Sequence, residues 1–324
     1  MKAILCHKYS SNISLKYEKI KSPIPKKNEI LISVKVSGVN FPDVLIVQGK
    51  YQFKPELPFS PGGEVSGIIK KVGKNVNKFK VGDKVFAGST WGGFSEEAIV
   101  MSSNTFKIPN GISYEDAAAS MVNYGTSFHA LVDRAKVKKN EIILILGASG
   151  GVGTAAIQIS KQLGAIVIAA ASSKEKLDYC KKIGADYCIN YSKENIKEKV
   201  KSFTKGIGAN VIYDPVGDKF SEPALRSIAW KGRFLVVGFA AGQIPKIPLN
   251  LVLLKGCQII GVFWGLFFRK NPSANARNFN TILKWIKNKK LNIHIDKKFL
   301  LKDAKKALNY VINRKVKGKI LLIP

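Results

Sequence analysis

Between Glu141 and Phe263 short apolar runs recur along the chain: Ile142–Leu146, Ile166–Ala170, Tyr187–Ile189, Val211–Tyr213, Phe234–Val237 and Gln258–Val262. The runs are continuously apolar rather than alternating, as strands covered on both faces require. After the first, VGTAAIQISKQLG puts Val152, Ala156, Ile159 and Leu163 on one helical stripe and stops at Gly164. KEKLDYCKKIG repeats the device with Gly184. Such alternation predicts an α/β fold, a doubly wound parallel sheet of six strands with Gln258–Val262 at its edge.

The N-terminal third reads differently. EILISVKVSGV, GEVSGIIKKVG, GDKVFAG and GGFSEEAIV are short β-type runs cut at close spacing by Gly, Pro and Asp, which predicts an irregular β-barrel. Ser113, with Asp116 three residues on, marks a helix start. Beyond Gly265 the pattern gives two lysine-rich helices and a final strand, KGKILLIP, expected to return to the first domain. The expected domains are therefore 1–122 with 265–324, and 123–264; the length of 324 residues also suits two cores.

Composition narrows the function classes. Hydrophobic content is 46% and mean hydropathy +0.01, values of a soluble globular chain. MKAILCHKYS is too short in apolar residues for a signal peptide, so the cytoplasm is the expected location. The uncharged stretch Ile142–Ser160 has the length of a membrane span, but its glycines and hydroxyl residues suit a strand, a turn and a helix. The net charge of +31 comes almost wholly from lysine; arginine stands only at 134, 226, 233, 269, 277 and 314. Sequence-specific nucleic-acid readers lean on arginine forks, so no specific nucleic-acid partner and no membrane partner is expected. Cys6, Cys180, Cys188 and Cys257 lack ligand spacing and read as small hydrophobes. His7, His129 and His294 are equally isolated, and no metal site is expected.

LILGASGGVGTAAIQ carries the candidate chemistry. It follows a strand and opens an amphipathic helix, as a G-x-G-x-x-G dinucleotide turn does. Alanine at 148 replaces the first glycine, which is permissible where the turn does not demand positive φ. Ser149, Gly150, Gly151, Val152 and Gly153 then bring backbone N–H groups to a pyrophosphate. The acid expected at the end of the second strand, which would bind a ribose diol, is missing. Ala171 is followed there by Ser172, Ser173 and Lys176, groups that suit a 2′-phosphate and so NADPH over NADH. Tyr191 either closes the same pocket or packs as a half-buried aromatic.

GVNFPDVLIVQGKY, LPFSPGGEVSGII, GGFSEEAIV, NYGTSFHALVDRA, LGASGGVG, VIYDPVGDKFSEPALRS and GRFLVVGFAAGQIPKIPLNLVLLKG together resemble the medium-chain dehydrogenase/reductase superfamily, in its zinc-free quinone oxidoreductase (zeta-crystallin-like) branch. The resemblance implies a GroES-like barrel in two sequence pieces, a central Rossmann domain and a cleft between them. Zinc-dependent members supply a cysteine and a histidine at the positions of Gly38 and Gly63, and a cluster of four cysteines after the position of GGFSEEAIV; all are missing here.

For the nicotinamide end the resemblance points to Asn40, Tyr51 and Thr126. Phe239, Phe263 and Trp264 follow strand ends and either wall cofactor and acceptor or pack in the core, and Val216 is a further expected cofactor-binding residue. Lys319 either reaches a cofactor phosphate or is a plain surface lysine. The expected activity is metal-free transfer of hydride from NADPH to a quinone. The alternatives are a 2-enoyl or acrylyl-CoA reductase and an NADPH-binding protein with an RNA-binding or structural role. The apolar edge run 258–262 is expected to pair with its copy in a homodimer.

Overall fold

A computed structural model describes residues 1–324 and divides them into two compact units, Met1–Val122 with Phe267–Pro324, and Asn123–Leu266. In the first unit β1 (Lys2–Cys6) and β2 (Leu15–Lys19) form a separate antiparallel pair. β3 (Glu29–Val39), β4 (Glu64–Val72), β5 (Lys84–Gly88), β6 (Glu97–Met101) and β7 (Thr105–Lys107) build most of a larger sheet, with α1 (Phe41–Val47) between β3 and β4. α2 (Tyr114–Phe128) starts where Ser113 accepts from Asp116 N at 3.0 Å, the reciprocal cap that the sequence announces.

The second unit carries β8 (Ile142–Leu146), α3 (Gly151–Gln162), β9 (Ile166–Ala171), α4 (Lys174–Lys182), β10 (Tyr187–Asn190), α5 (Ile196–Phe203), β11 (Ala209–Asp214), α6 (Ser221–Arg226), β12 (Ile228–Val236), α7 (Leu249–Lys255) and β13 (Gln258–Gly261). All five pairings are parallel, in the order β10-β9-β8-β11-β12-β13. Winding reverses between β8 and β11, and in such sheets ligands bind beyond the carboxyl ends of those two strands. The expected α/β architecture is therefore present. Its core is built on the apolar runs: Leu144, Leu146, Ile168, Ile189 and Ile212 are fully enclosed.

Two details depart from the pattern. Gly153–Ser160 of α3 are all buried, so the helix is enclosed around its circumference rather than along one stripe. β12 begins six residues before its apolar run, at Ile228, because the exposed Trp230–Lys231 stretch extends it in a way that periodicity reads as a turn.

α8 (Trp264–Lys270), α9 (Pro272–Lys287), β14 (Ile295–Leu300), α10 (Ala304–Ile312) and β15 (Lys319–Ile323) complete the chain. β15 lies antiparallel to β3, with Ile320 opposite Val39 and Leu321 opposite Gly38, so the final strand does return to the first sheet. That sheet runs β14-β15-β3-β4-β5-β7, with β6 on β3. No helix is long and apolar enough to cross a membrane.

Candidate active site

The turn after β8 answers why alanine is tolerated in the fingerprint. The left-handed residue is Gly147, at φ +56°, and Ala148 keeps negative φ, the condition under which alanine is permissible there. Gly147 also has no room for a side chain, since a Cβ there would lie 2.8 Å from Val216 Cγ2. Gly153 cannot be replaced either, because its Cβ would meet Gly147 O at 2.4 Å and Ala148 Cα at 2.7 Å. Gly150, the N-cap of α3, is open: a Cβ there finds only Gly147 O, at 3.3 Å. Gly150 N is spent on Gly147 O, so the next N–H groups, those of Gly151 and Val152, are the helix-start donors left for an anion. Ala148 and Ser149 are buried beneath the turn. The residues therefore fit a pyrophosphate. Asn123, which sequence reasoning missed, backs the turn: a Cβ on Gly151 would lie 2.5 Å from its Nδ2.

At the end of β9, Ser173 caps α4 by accepting from Lys176 N at 3.4 Å, and Lys176 Nζ lies 3.4 Å from Ser172 Oγ. Tyr191 N donates to Ala171 O, which places the tyrosine beside the same strand end, but its ring also packs on Phe220 at 4.6 Å. Two hydroxyls and an ammonium thus stand together where a dinucleotide site for a plain ribose has a carboxylate.

The loop after β11 is built by Asp214, another residue that sequence reasoning passed over. Its buried carboxylate accepts from Val216 N (2.8 Å), Gly217 N (2.9 Å) and Ser221 Oγ (2.6 Å). Burial pushes its pKa up, opposed by the Ser221 hydroxyl and the two loop N–H groups. An Asp bonded to the N–H two residues on is a turn signal readable in DPVGD. Thr126 is half-buried amid a stretch that is otherwise enclosed from Asn123 to Ala130, and the next residue, Ser127, bonds to Val152 O at 2.8 Å. Phe239 and Phe263 are partly exposed, at 36% and 37%. Trp264, which opens α8, is enclosed at 6% exposure, as the core-packing alternative expects.

The first unit holds a buried charged cluster. β3 runs between β15 and β4, and the register sets Lys319 and Glu64 on either side of residues 38–40. Lys319, 2% exposed, is ion-paired with Glu64 and donates to Asn40 Oδ1. Glu64, with no exposure, also accepts from Asn40 Nδ2 at 2.9 Å and from Val122 N at 2.7 Å. Neither reading of Lys319 made from the sequence holds: it is not on the surface, and its ammonium is engaged by Glu64 and Asn40. The reason is the strand pairing, which turns a C-terminal lysine into an interior residue. Tyr51 lies 6.2 Å from Phe53, whose face carries the Arg269 guanidinium at 4.7 Å. Burial and the nearby Asp43 raise the Tyr51 phenol, with Arg269 opposing.

This cluster also tests whether zinc fits. A Cβ on Gly38 would lie 1.9 Å from Glu64 Oε1, so a ligand side chain has no space there. Nowhere do three or more His, Cys, Asp or Glu side chains converge to hold a metal. The residues present do not fit a tetrahedral zinc site.

Asp43 accepts from Asn40 N at 2.7 Å, and burial, reinforced by Glu64, pushes its pKa up to about 7. Its unfolded value is near 3.9. The folded protein thus binds the extra proton between roughly pH 4 and pH 7, so stability falls as pH rises through that window. Asp43→Asn removes the ionisation. Urea titrations should show its unfolding free energy gaining on that of the parent by about 3 kcal/mol between pH 4 and pH 7.5. A constant difference across that range would show that Asp43 does not hold the proton.

Residues 26–110 match the alcohol dehydrogenase GroES-like domain family, and residues 151–287 match the zinc-binding dehydrogenase family. The chain is 38% identical to "Quinone oxidoreductase-like protein 2" of Bos taurus, over 91% of its own length and 85% of the relative's. Among solved structures, Escherichia coli quinone oxidoreductase complexed with NADPH superposes with a TM-score of 0.94 at 29% identity, covering 100% of both chains. Quinone oxidoreductase of Pseudomonas syringae pv. Tomato DC3000 gives 0.94 at 31%, covering 100% of this chain and 99% of that one. With both halves of the chain matched and the likeness running through the glycine turn, the protein is an oxidoreductase of the medium-chain dehydrogenase/reductase superfamily, in its quinone oxidoreductase branch.

Proposed function

We propose that this protein is an NADPH-dependent reductase that delivers hydride to a quinone without using a metal. One contrast carries the reading: the glycine turn suited to the cofactor is complete, while at Gly38, where the resemblance places a zinc-binding cysteine, the Glu64 carboxylate leaves no room for a side chain. NADPH is favoured by Ser172, Ser173 and Lys176 at the end of β9, and the E. coli relative is described as an NADPH complex. When bound, NADPH supplies the hydride. The N–H groups at the start of α3 hold its pyrophosphate, Lys176 neutralises its 2′-phosphate, and Asn40 holds the nicotinamide carboxamide. Thr126 adds a second donor for the cofactor. Val216, Phe239 and Phe263 supply apolar surface.

Tyr51 is a hydrogen-bond donor to the acceptor oxygen rather than an acid, since its phenol is raised above its usual pKa and stays protonated near neutrality. With no Lewis acid to hold an alkoxide, the acceptor must already be electrophilic. A quinone meets that need, and quinone reductases are the named relatives. The exposed edge of β13, with Ile259 at 41% exposure, and the exposed Leu253 and Leu254 of α7 support pairing with a second copy of the chain; light scattering tests the dimer.

The deciding experiment is an acceptor screen with NADPH and NADH in parallel, using a benzoquinone, a naphthoquinone and crotonyl-CoA. NADPH oxidation with the quinones and none with the thioester is expected. Turnover of crotonyl-CoA alone would replace the quinone reading by an alkene reductase. No turnover with any acceptor, together with salt-sensitive RNA binding, would replace it by a non-enzymatic role.

A further inference from the structure

We propose that Lys319 is the positioning residue of Asn40: with Glu64 it fixes which end of the Asn40 amide is presented to the cofactor. This rests on the assignment of Asn40 to the nicotinamide carboxamide.

An asparagine amide can turn over, exchanging oxygen for nitrogen with little change of shape, and its orientation is decided by its partners. Here the partners leave one choice. A lysine ammonium has donors and no acceptor, so it can face only Oδ1. An ionised carboxylate has acceptors and no donor, so it can face only Nδ2, which Glu64 does at 2.9 Å. The backbone is fixed as well, since Asn40 N donates to Asp43 Oδ2. Beyond its bond to Glu64, Nδ2 keeps a second N–H, the group that can meet the oxygen of a carboxamide.

The three residues come from three strands or strand ends. Lys319 opens β15, Glu64 opens β4, and Asn40 follows β3, with Lys319 and Asn40 279 positions apart in the sequence. Nothing local in the chain supplies this restraint. The ion pair also has to be where it is, because Gly38 leaves open the space occupied by the Glu64 carboxylate. Without Lys319 the amide loses the ammonium that faces Oδ1, and the Glu64 carboxylate loses its counter-charge. Misplacing a reacting group by about 1 Å can cost on the order of 100-fold in rate.

Lys319→Met alone would strand a buried carboxylate and risk the fold, so the test uses the neutral pair Lys319→Met/Glu64→Gln. Asn40→Ala, the triple variant and Lys319→Arg are measured beside it, with kcat at saturating NADPH, KM for NADPH and the Tm of each. The expected result is a fall in kcat of roughly 10- to 100-fold for Asn40→Ala and for the neutral pair, with KM for NADPH changed less than about threefold. In the triple variant the losses should not add, because both changes remove the same contact. Lys319→Arg, which keeps a buried cation donor, should retain kcat within about fivefold.

Asn40→Ala without effect on kcat would sink the carboxamide assignment itself. Asn40→Ala with a large effect and the neutral pair with none would leave that assignment standing and overturn the role of Lys319. Additive losses in the triple variant would do the same. Should the neutral pair fail to fold, Lys319→Arg decides: a folded arginine variant as slow as Asn40→Ala overturns the proposal.

Discussion

Replacing Gly38 by cysteine, the residue that a zinc site would need there, is expected to lower unfolding free energy by about 3–5 kcal/mol and to recruit no zinc. The Cβ would arrive 1.9 Å from Glu64 Oε1, 2.5 Å from its carboxyl carbon and 2.7 Å from Cγ. A flexible glutamate could move aside on a surface. This one is fully enclosed and bonded to Lys319, Asn40 and Val122 N, so moving it breaks a buried ion pair and leaves its partners unsatisfied. For a chain of 324 residues a loss near 4 kcal/mol corresponds to a fall in Tm of about 6 °C. Calorimetry measures the shift, and atomic absorption on Gly38→Cys/Gly63→His measures the metal. Stoichiometric zinc in the paired variant, at undiminished Tm, would show that the charged cluster yields easily and that the metal-free reading of this site is wrong.

The second large effect is expected at the end of β9. Lys176→Glu should raise KM for NADPH on the order of 100-fold while leaving KM for NADH within about threefold. A charge-assisted bond to phosphate contributes about 1.5–3 kcal/mol, and the reversed charge adds repulsion at the same spot. At about 1.4 kcal/mol per tenfold, this reaches two orders of magnitude. The 2′-phosphate is the only difference between the two cofactors, so NADH serves as the internal control. Equal losses for both would mean that Lys176 supports α4 or the ribose instead, and the basis for preferring NADPH would be gone.

The two expectations differ in how they could be foreseen. Ser172, Ser173 and Lys176 lie within five positions of a strand end that apolar periodicity locates, so their grouping follows from local geometry. The glycine turn is legible in the same way, although the motif spacing, matched to Ala148, does not single out Gly147 as the left-handed position. Asp214 was also within reach, since its bonds run to N–H groups two and three residues ahead. Lys319 was not: the lysine is one of many in a basic chain, and nothing near it in sequence distinguishes it. For Trp264 the sequence leaves walling and core packing open, since the burial of a ring at a helix start depends on what the helix packs against.

By itself the sequence determined the six parallel strands with their helices and the glycine turn that heads α3. Each is written in short-range spacing, where backbone geometry and burial act over a few residues. Only the tertiary structure decided that Lys319, Glu64, Asn40 and Asp43 share one buried cluster, and that Asp43 holds its proton to about pH 7. Charge energetics depend on burial and on the distance to the partner, and strand register brings those partners together from opposite ends of the chain.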